Sequence, residues 1–234
     1  MENSQPKIEI TENGPYIVYG KLPLLKSIMV PDEKGNAIDW KPGELLSAED
    51  EEYLCRCGNS GNKPYCDNSH LRIPFDGTET AGFESFSQIA ETVEGPQLIL
   101  KDGKSLCASA RFCNLGGGIR ALVQKSDDPE ARELAIRSVR NCSSGRLVLI
   151  DKITGETIEE MVEPQVIIAE DPGRNVSGPI YLKGGIEVIS STGKSYEIRN
   201  RVTLCRCGHS ANKPFCDGSH IKVAFNDGAG ELKK

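Results

Sequence analysis

The chain has 234 residues, 38% of them hydrophobic and only 6% aromatic, with a formal net charge of −6. That acidity, without a long Lys/Arg run, argues against a nucleic-acid binder, whose surface would carry a basic patch. No run of 18 apolar residues offers a membrane span, and the opening MENSQPKIEITENG has neither the basic and apolar regions of a signal peptide nor the acid-poor composition of a transit peptide. The expectation is therefore a cytoplasmic protein with no membrane and no nucleic-acid partner. The 24 glycines and 13 prolines point to many turns and short strands.

In chain order, Gly14-Pro15, Gly20, Leu22 and Leu24 open a region of short alternating strands. A polar, turn-rich stretch follows, VPDEKGNAIDWKPGE (30–44), holding the single tryptophan, Trp40, read as a local packing residue. Residues 55–70 then read CRCGNSGNKPYCDNSH, and Phe75 lies five residues beyond the histidine. QLILKDGKSL (97–106) reads as a strand, followed by LCASARFC with Cys107 and Cys113, and then Gly116-Gly117-Gly118. No G-x-x-x-x-G-K-[ST] pattern accompanies these glycines, so they form a turn and not a phosphate loop. DDPEARELAIRSVRN (127–141) reads as a helix. Asp127 or Asp128 is the N-cap, Pro129 and Glu130 suit the first turn, and Ala131, Leu134, Ala135 and Ser138 form its apolar face. Cys142 follows, and then RLVLID, the turn ITGE, TIEEMV and QVIIAE read as strands.

The opening pattern now returns: Gly178-Pro179, Gly184, Ile186 and Val188 match Gly14-Pro15, Gly20, Leu22 and Leu24. IYLKGGIEVIS (180–190) and KSYEIRNRVTL (194–204) flank the hairpin signal Ser191-Thr192-Gly193. Residues 205–220 read CRCGHSANKPFCDGSH, with Phe225 five residues on. The duplicated module is thus a hairpin, a cysteine–histidine loop and a short exit strand. Gly14 lies 41 positions before Cys55 and Gly178 only 27 before Cys205, so the first copy holds an insertion of 14 residues. One such hairpin is too small to stand alone. Two copies packed about an internal pseudo-two-fold axis would bury a shared face.

The repeated string places six of the nine cysteines and two of the three histidines. Thiolates and imidazole select zinc or iron–sulfur clusters over the oxygen-seeking Mg and Ca. In a reducing compartment, thiols so placed are more often metal ligands than disulfides. Zinc knuckles usually open with C-x2-C or wider; here the opening is C-x-C. Residues i and i+2 of an extended chain share a side, so Cys55 and Cys57 can hold one iron of a rhombic cluster while Cys66 and His70, one helical turn apart, reach the other. Cys205, Cys207, Cys216 and His220 repeat the set. Asp67 is placed to start the short helix. His209 stands where the first copy has Asn59 and reads as a surface residue.

The pattern C-x-C-x2-S-x3-P-x-C-D-G-S-H resembles the CDGSH iron–sulfur domain of the mitoNEET-like family. Residues 205–220 fit at each defining position. Residues 55–70 depart once, with Asn68 in place of Gly, a position that needs a left-handed or tightly turned backbone, which Asn tolerates best after Gly. The resemblance implies one [2Fe–2S] cluster per motif on three Cys and one His, and a β-rich cap. It also implies a fused equivalent of the family's homodimer, monomeric through internal duplication. Cys107, Cys113 and Cys142 resemble a divergent single-cluster ferredoxin segment, with Ser143 where such segments have Pro and Ser109 where a related segment has His. Three thiolates there would hold a [3Fe–4S] cluster or a [4Fe–4S] cluster with an open position; the other reading is a degenerate domain with buried small thiols.

The expected fold is α+β: tandem β-rich modules at 1–82 and 176–230 forming an internal pseudo-dimer, with a small ferredoxin-like α+β domain at 95–170. The expected function is electron transfer, redox sensing or cluster transfer with a redox or cluster-accepting protein partner. No nucleotide fingerprint or catalytic arrangement marks an activity of its own. The alternatives are a zinc-stabilised interaction module and an electron-feeding subunit of a redox enzyme.

Overall fold

The computed structural model describes residues 6–228. The first module contributes β1 (Lys7–Ile10), β2 (Tyr16–Tyr19), β3 (Leu24–Pro31), β4 (Ala37–Ser47) and β5 (Glu51–Leu54). A short helix α1 (Phe86–Ile89) leads to β6 (Glu91–Glu94), β7 (Leu98–Asp102), α2 (Ile119–Gln124), α3 (Pro129–Arg140) and β8 (Leu147–Asp151). The second module adds β9 (Gln165–Asp171), β10 (Val176–Lys183), β11 (Glu187–Ile189), β12 (Arg201–Leu204) and α4 (Ser219–Lys222). The chain is α+β with β-rich repeats around a middle segment. Among the described residues no helix is long and apolar enough to cross a membrane.

Each repeat builds the same antiparallel core. β1 pairs with β2 and β2 with β5, as β9 pairs with β10 and β10 with β12. The next strand of each repeat then leaves its own sheet. β3 runs parallel to β9, with Leu24 opposite Val166 and Ile28 opposite Glu170. β11 runs parallel to β1, with Lys7 opposite Glu187 and Glu9 opposite Ile189. The sheets read β11-β1-β2-β5 and β12-β10-β9-β3-β4. The two modules have thus exchanged a strand about a pseudo-two-fold axis. Exchange lets the alternating apolar sides of both copies meet: Ile8, Ile10, Tyr16, Val18 and Leu24 form one cluster with Ile168, Ile180, Leu182, Val188 and Leu204.

The polar, turn-rich insertion does turn, at 32–36, but its second half is the strand β4, antiparallel to β3 through repeated register shifts. It extends the second sheet by one strand. Trp40 lies on it and its packing is long-range: its ring meets Phe112 at 5.3 Å and Tyr181 at 5.7 Å, and its indole N–H donates to the Asn141 carbonyl at 3.0 Å. The hydrophobic insertion face is satisfied by another domain, which local patterning does not display.

The middle segment has its own sheet, β6-β7-β8, and its own core of Leu98, Leu100, Leu122, Ile136, Val139 and Leu149. Asp128 caps α3, accepting from the N–H groups of Glu130 and Ala131, with Pro129 in the first turn. The buried face of α3 is Ala135, Ile136, Ser138 and Val139, while Ala131 and Leu134 are only partly covered. The expected face was therefore rotated, because the helix packs on α2 and β8 together. TIEEMV forms no strand beyond a single bridge from Thr157 to Ile150, and QVIIAE becomes β9, which joins the second module's sheet. No exit strand follows either histidine among the described residues.

Candidate metal centres

β5 and β12 end directly at Cys55 and Cys205, so each first cysteine inherits the rigidity of a paired strand. Each loop then folds back on its strand. The Cys55 N–H donates to the Pro64 carbonyl and the Cys66 N–H to the Tyr53 carbonyl, both at 2.8 Å; Cys205 to Pro214 and Cys216 to Thr203 repeat the pattern at 2.8 and 2.9 Å. Inside the loop, Ser60 Oγ donates to the Tyr65 carbonyl and accepts from the Asn62 N–H. Ser210 does the same with Phe215 and Asn212. Asp67 accepts from the Ser69 and Gly61 N–H groups, and Asp217 from those of Ser219 and Ala211. Each aspartate both caps the histidine-bearing turn and ties it to the far side of the loop. That turn is 3-10 at Ser69–Leu71 and one helical turn in α4.

These anchors bring the side chains together in pairs. Cys55 Sγ lies 3.8 Å from Cys57 Sγ, and Cys66 Sγ lies 3.5 Å from His70 Nδ1. The second copy gives 3.7 Å for Cys205 and Cys207 and 3.3 Å for Cys216 and His220. On a tetrahedral transition metal at about 2.3 Å from sulfur and about 2.1 Å from nitrogen, two sulfurs sit about 3.8 Å apart and sulfur and nitrogen about 3.6 Å. Both pairs match that spacing in both copies. Among the described residues no three His, Cys, Asp or Glu side chains converge on a single ion site. Each site thus offers its four side chains as two ligand pairs.

The electrostatics ask for a cation. The Cys57 thiol, hydrogen-bonding Cys55, and backbone N–H groups pull the Cys55 pKa down to about 6, and Cys57 is raised in turn. Cys205 is likewise lowered to about 6 by Cys207. Burial pushes the Cys216 thiol up and pushes His220 down to about 4. Cys55, Cys205 and His220 are thus poised to bind a cation without a proton to displace, while the raised Cys57, Cys207 and Cys216 thiols favour their protons until a cation replaces them. The Asn68 and Gly218 N–H groups donate to Cys66 Sγ and Cys216 Sγ at 3.4 and 3.5 Å, a hydrogen bond that favours thiolate.

The two sites meet across the pseudo-axis. Cys57 and Cys207 form an antiparallel backbone bridge. A Cβ on Gly58 would lie 2.4 Å from the Cys207 carbonyl oxygen, and one on Gly208 would lie 2.6 Å from that of Cys57. Both glycines also have positive φ, 76° and 83°. The arginines between the ligand cysteines are buried, Arg56 at 2% and Arg206 at 3% exposure. Each uses its guanidinium to pin the preceding hairpin: Arg56 donates to the Gly14 and Thr11 carbonyls, Arg206 to those of Gly178 and Ala169. Sequence reasoning passed over these four residues, although their identity in both copies of C-R-C-G was the available signal.

The copies differ at the histidine turn. Asn68 takes the left-handed conformation expected of it, φ 64°, and is exposed. Gly218 has φ 86° and is buried under the middle segment, where a Cβ would lie 2.4 Å from Ser109 Oγ. His220 is accordingly 3% exposed, whereas Cys66 and His70 are partly open. His209 is exposed, as is Asn59.

Cys107 and Cys113, at the two ends of one loop, come together with Cys142 from beyond α3. They line one small cavity of about 20 Å³ with Arg111, Ser144 and Arg146. The loop joining the first two holds Ser109 and Arg111 at φ 60° and 68°, uncommon for side chains of this kind. Burial and then Cys142 raise the Cys113 pKa. Burial opposes the charge on Arg146, but Asp102, which accepts two hydrogen bonds from it at 2.8 and 3.1 Å, outweighs this, helped by Cys107. Three thiols beside a fixed cation suit a thiolate-bound group.

A family model described as iron-binding zinc finger, CDGSH type, matches residues 13–71 and again 177–221. A second, described as a divergent 4Fe-4S mono-cluster, matches residues 93–152 between them. No curated protein and no solved structure matches the chain.

Proposed function

We propose that this iron–sulfur protein, whose chain carries two CDGSH-type domains around a divergent 4Fe-4S domain, carries single electrons between protein partners, with one [2Fe–2S] cluster at each repeated site. The observation that carries the reading is the twofold occurrence of Cys–Cys and Cys–His pairs at tetrahedral spacing. Cys55, Cys57, Cys66 and His70 would hold one cluster, and Cys205, Cys207, Cys216 and His220 the other. Bound there, such a cluster supplies a one-electron couple, which one imidazole ligand raises above an all-thiolate one.

The chain's own residues serve that couple by holding still. Strand ends fix the first cysteine of each site, the Asp67 and Asp217 carboxylates fix the histidine turn, and the Cys57–Cys207 bridge locks the two loops to each other. A rigid ligand shell lowers the reorganisation that accompanies a change of charge. Cys107, Cys113 and Cys142 would hold a third group, a [3Fe–4S] cluster or a [4Fe–4S] cluster with one open position.

Metal analysis with visible absorption tests both statements on anaerobically prepared protein. About four irons with matching sulfide load the repeated sites alone, and about seven to eight add the middle site. Replacement of Cys113 and Cys142 by serine then returns the count to about four. A colourless protein with stoichiometric zinc would refute the reading.

A further inference from the structure

The two buried arginines occupy equivalent positions, yet their surroundings differ in charge. Arg206 reaches two carboxylates: its guanidinium donates to Glu170 at 2.9 Å and to Asp227 at 2.5 Å, both buried. Counted from Phe75 and Phe225, the residue matching Asp227 is Gly77, whose backbone carbonyl accepts from Arg56 at 2.9 Å. No carboxylate replaces it: a Cβ at Gly77 would lie 2.1 Å from Arg56 Nη2. Among the described residues Arg56 forms no ion pair and its Nη1 has no hydrogen-bond partner; the rings of Tyr16 and Phe75 face the guanidinium at 5.7 and 5.5 Å. The first site therefore neighbours a buried cation whose guanidinium bonds no carboxylate, the exposed Asp76 acting on it only through space, and the second a cation bonded to two buried acid groups.

Solvent exposure acts in the same sense. Cys66 and His70 are partly open, while Cys216 and His220 are buried, with Gly218 between them packed under Ser109. Reduction adds a negative charge to a site. A neighbouring cation and access to water stabilise that charge; burial and carboxylates oppose it.

We infer that the two repeated sites are electrostatically inequivalent and that the first, at Cys55–His70, has the higher reduction potential. The one-electron-reduced protein holds its electron at the open site, where a partner can reach it. The single electron comes from the added reductant; one ferric iron becomes ferrous, and no bond is made or broken. Glu52, buried on β5 three residues before Cys55 with both carboxylate oxygens lacking hydrogen-bond partners, is the acidic side chain that works against this order.

This rests on both sites holding [2Fe–2S] clusters, so the test separates the two claims. Iron and sulfide analysis establishes loading of the full chain. Electron paramagnetic resonance during a dithionite titration at pH 8 then reads the order of reduction, with His70→Cys and His220→Cys variants assigning each signal. At half reduction the first-site signal should exceed the second by about threefold, equivalent to about 59 mV between the two one-electron midpoints. Arg56→Gln should lower the first midpoint alone. Glu170→Gln, an isosteric change suited to a buried position, should raise the second alone, and Glu52→Gln should raise the first. Two loaded clusters with coincident midpoints, or with the second site reduced first, overturn the inference while leaving the cluster assignment standing. A preparation with fewer than two clusters overturns both.

Discussion

Alanine at Gly58 tests the claim that the two halves are locked at their ligand loops. The added Cβ would stand 2.4 Å from the Cys207 carbonyl oxygen, where ordinary contact begins at 3.4 Å, so about 1 Å must be found. Neither side yields cheaply, because that backbone forms the bridge to Cys57 and continues into ligands of both sites. Overpacking of this kind costs about 1–3 kcal/mol, and a side chain at φ 76° adds about 1 kcal/mol. The expected loss is about 2–4 kcal/mol. With a denaturant slope of about 3 kcal/mol/M, the urea midpoint read by far-ultraviolet circular dichroism should fall by about 1 M. Gly193→Ala is the control: its φ is 82°, but nothing lies within 4 Å of a Cβ there. It should lose only the conformational part, about 0.3 M on the same slope. Gly58→Ala with Gly208→Ala should cost less than the sum, since both press on one bridge. Equal midpoints for Gly58→Ala and Gly193→Ala would show that the close approach carries no energy, and the locked-loop argument would fail.

The histidine turns give a second test. Asn68→Gly should leave iron content unchanged, whereas Gly218→Asn should deplete the second site alone, because its Cβ meets Ser109; adding Ser109→Gly should restore the iron count. Trp40→Ala should destabilise by about 3 kcal/mol through lost ring packing against Phe112 and Tyr181, and Trp40→Phe by about 1 kcal/mol through the lost bond to Asn141, both measured by urea unfolding.

Much of the site is written locally. The repeated ligand strings, the left-handed position at Asn68 and the Asp128 cap each depend on a few neighbouring residues, and the structure places them as their chemistry asks. The strand exchange is not written locally. Leu24 and Val188 lie in short apolar stretches that suit either sheet equally well, and only the joint burial of both modules selects the partner. The β4 insertion escaped for the same reason: its apolar side is covered by Phe112 and Tyr181, distant in sequence. The charge difference between Arg56 and Arg206 depends on Gly77 and Asp227, which become comparable only once both arginines are seen to reach the same place.

Strand exchange also dictates when this chain can finish folding. Lys7 pairs with Glu187 across 180 residues, and β1 has no neighbour on that side until β11 arrives. During synthesis the middle segment, with its own core, can close first. The sheet of β1, β2 and β5 must wait with an open edge until Glu187–Ile189 has left the ribosome. Such non-local closure slows folding and exposes an edge to wrong pairing. On the proposed assignment, iron loading at Cys55–His70, though first in the sequence, would follow synthesis of the second repeat, whose β11 completes the sheet on which that site stands.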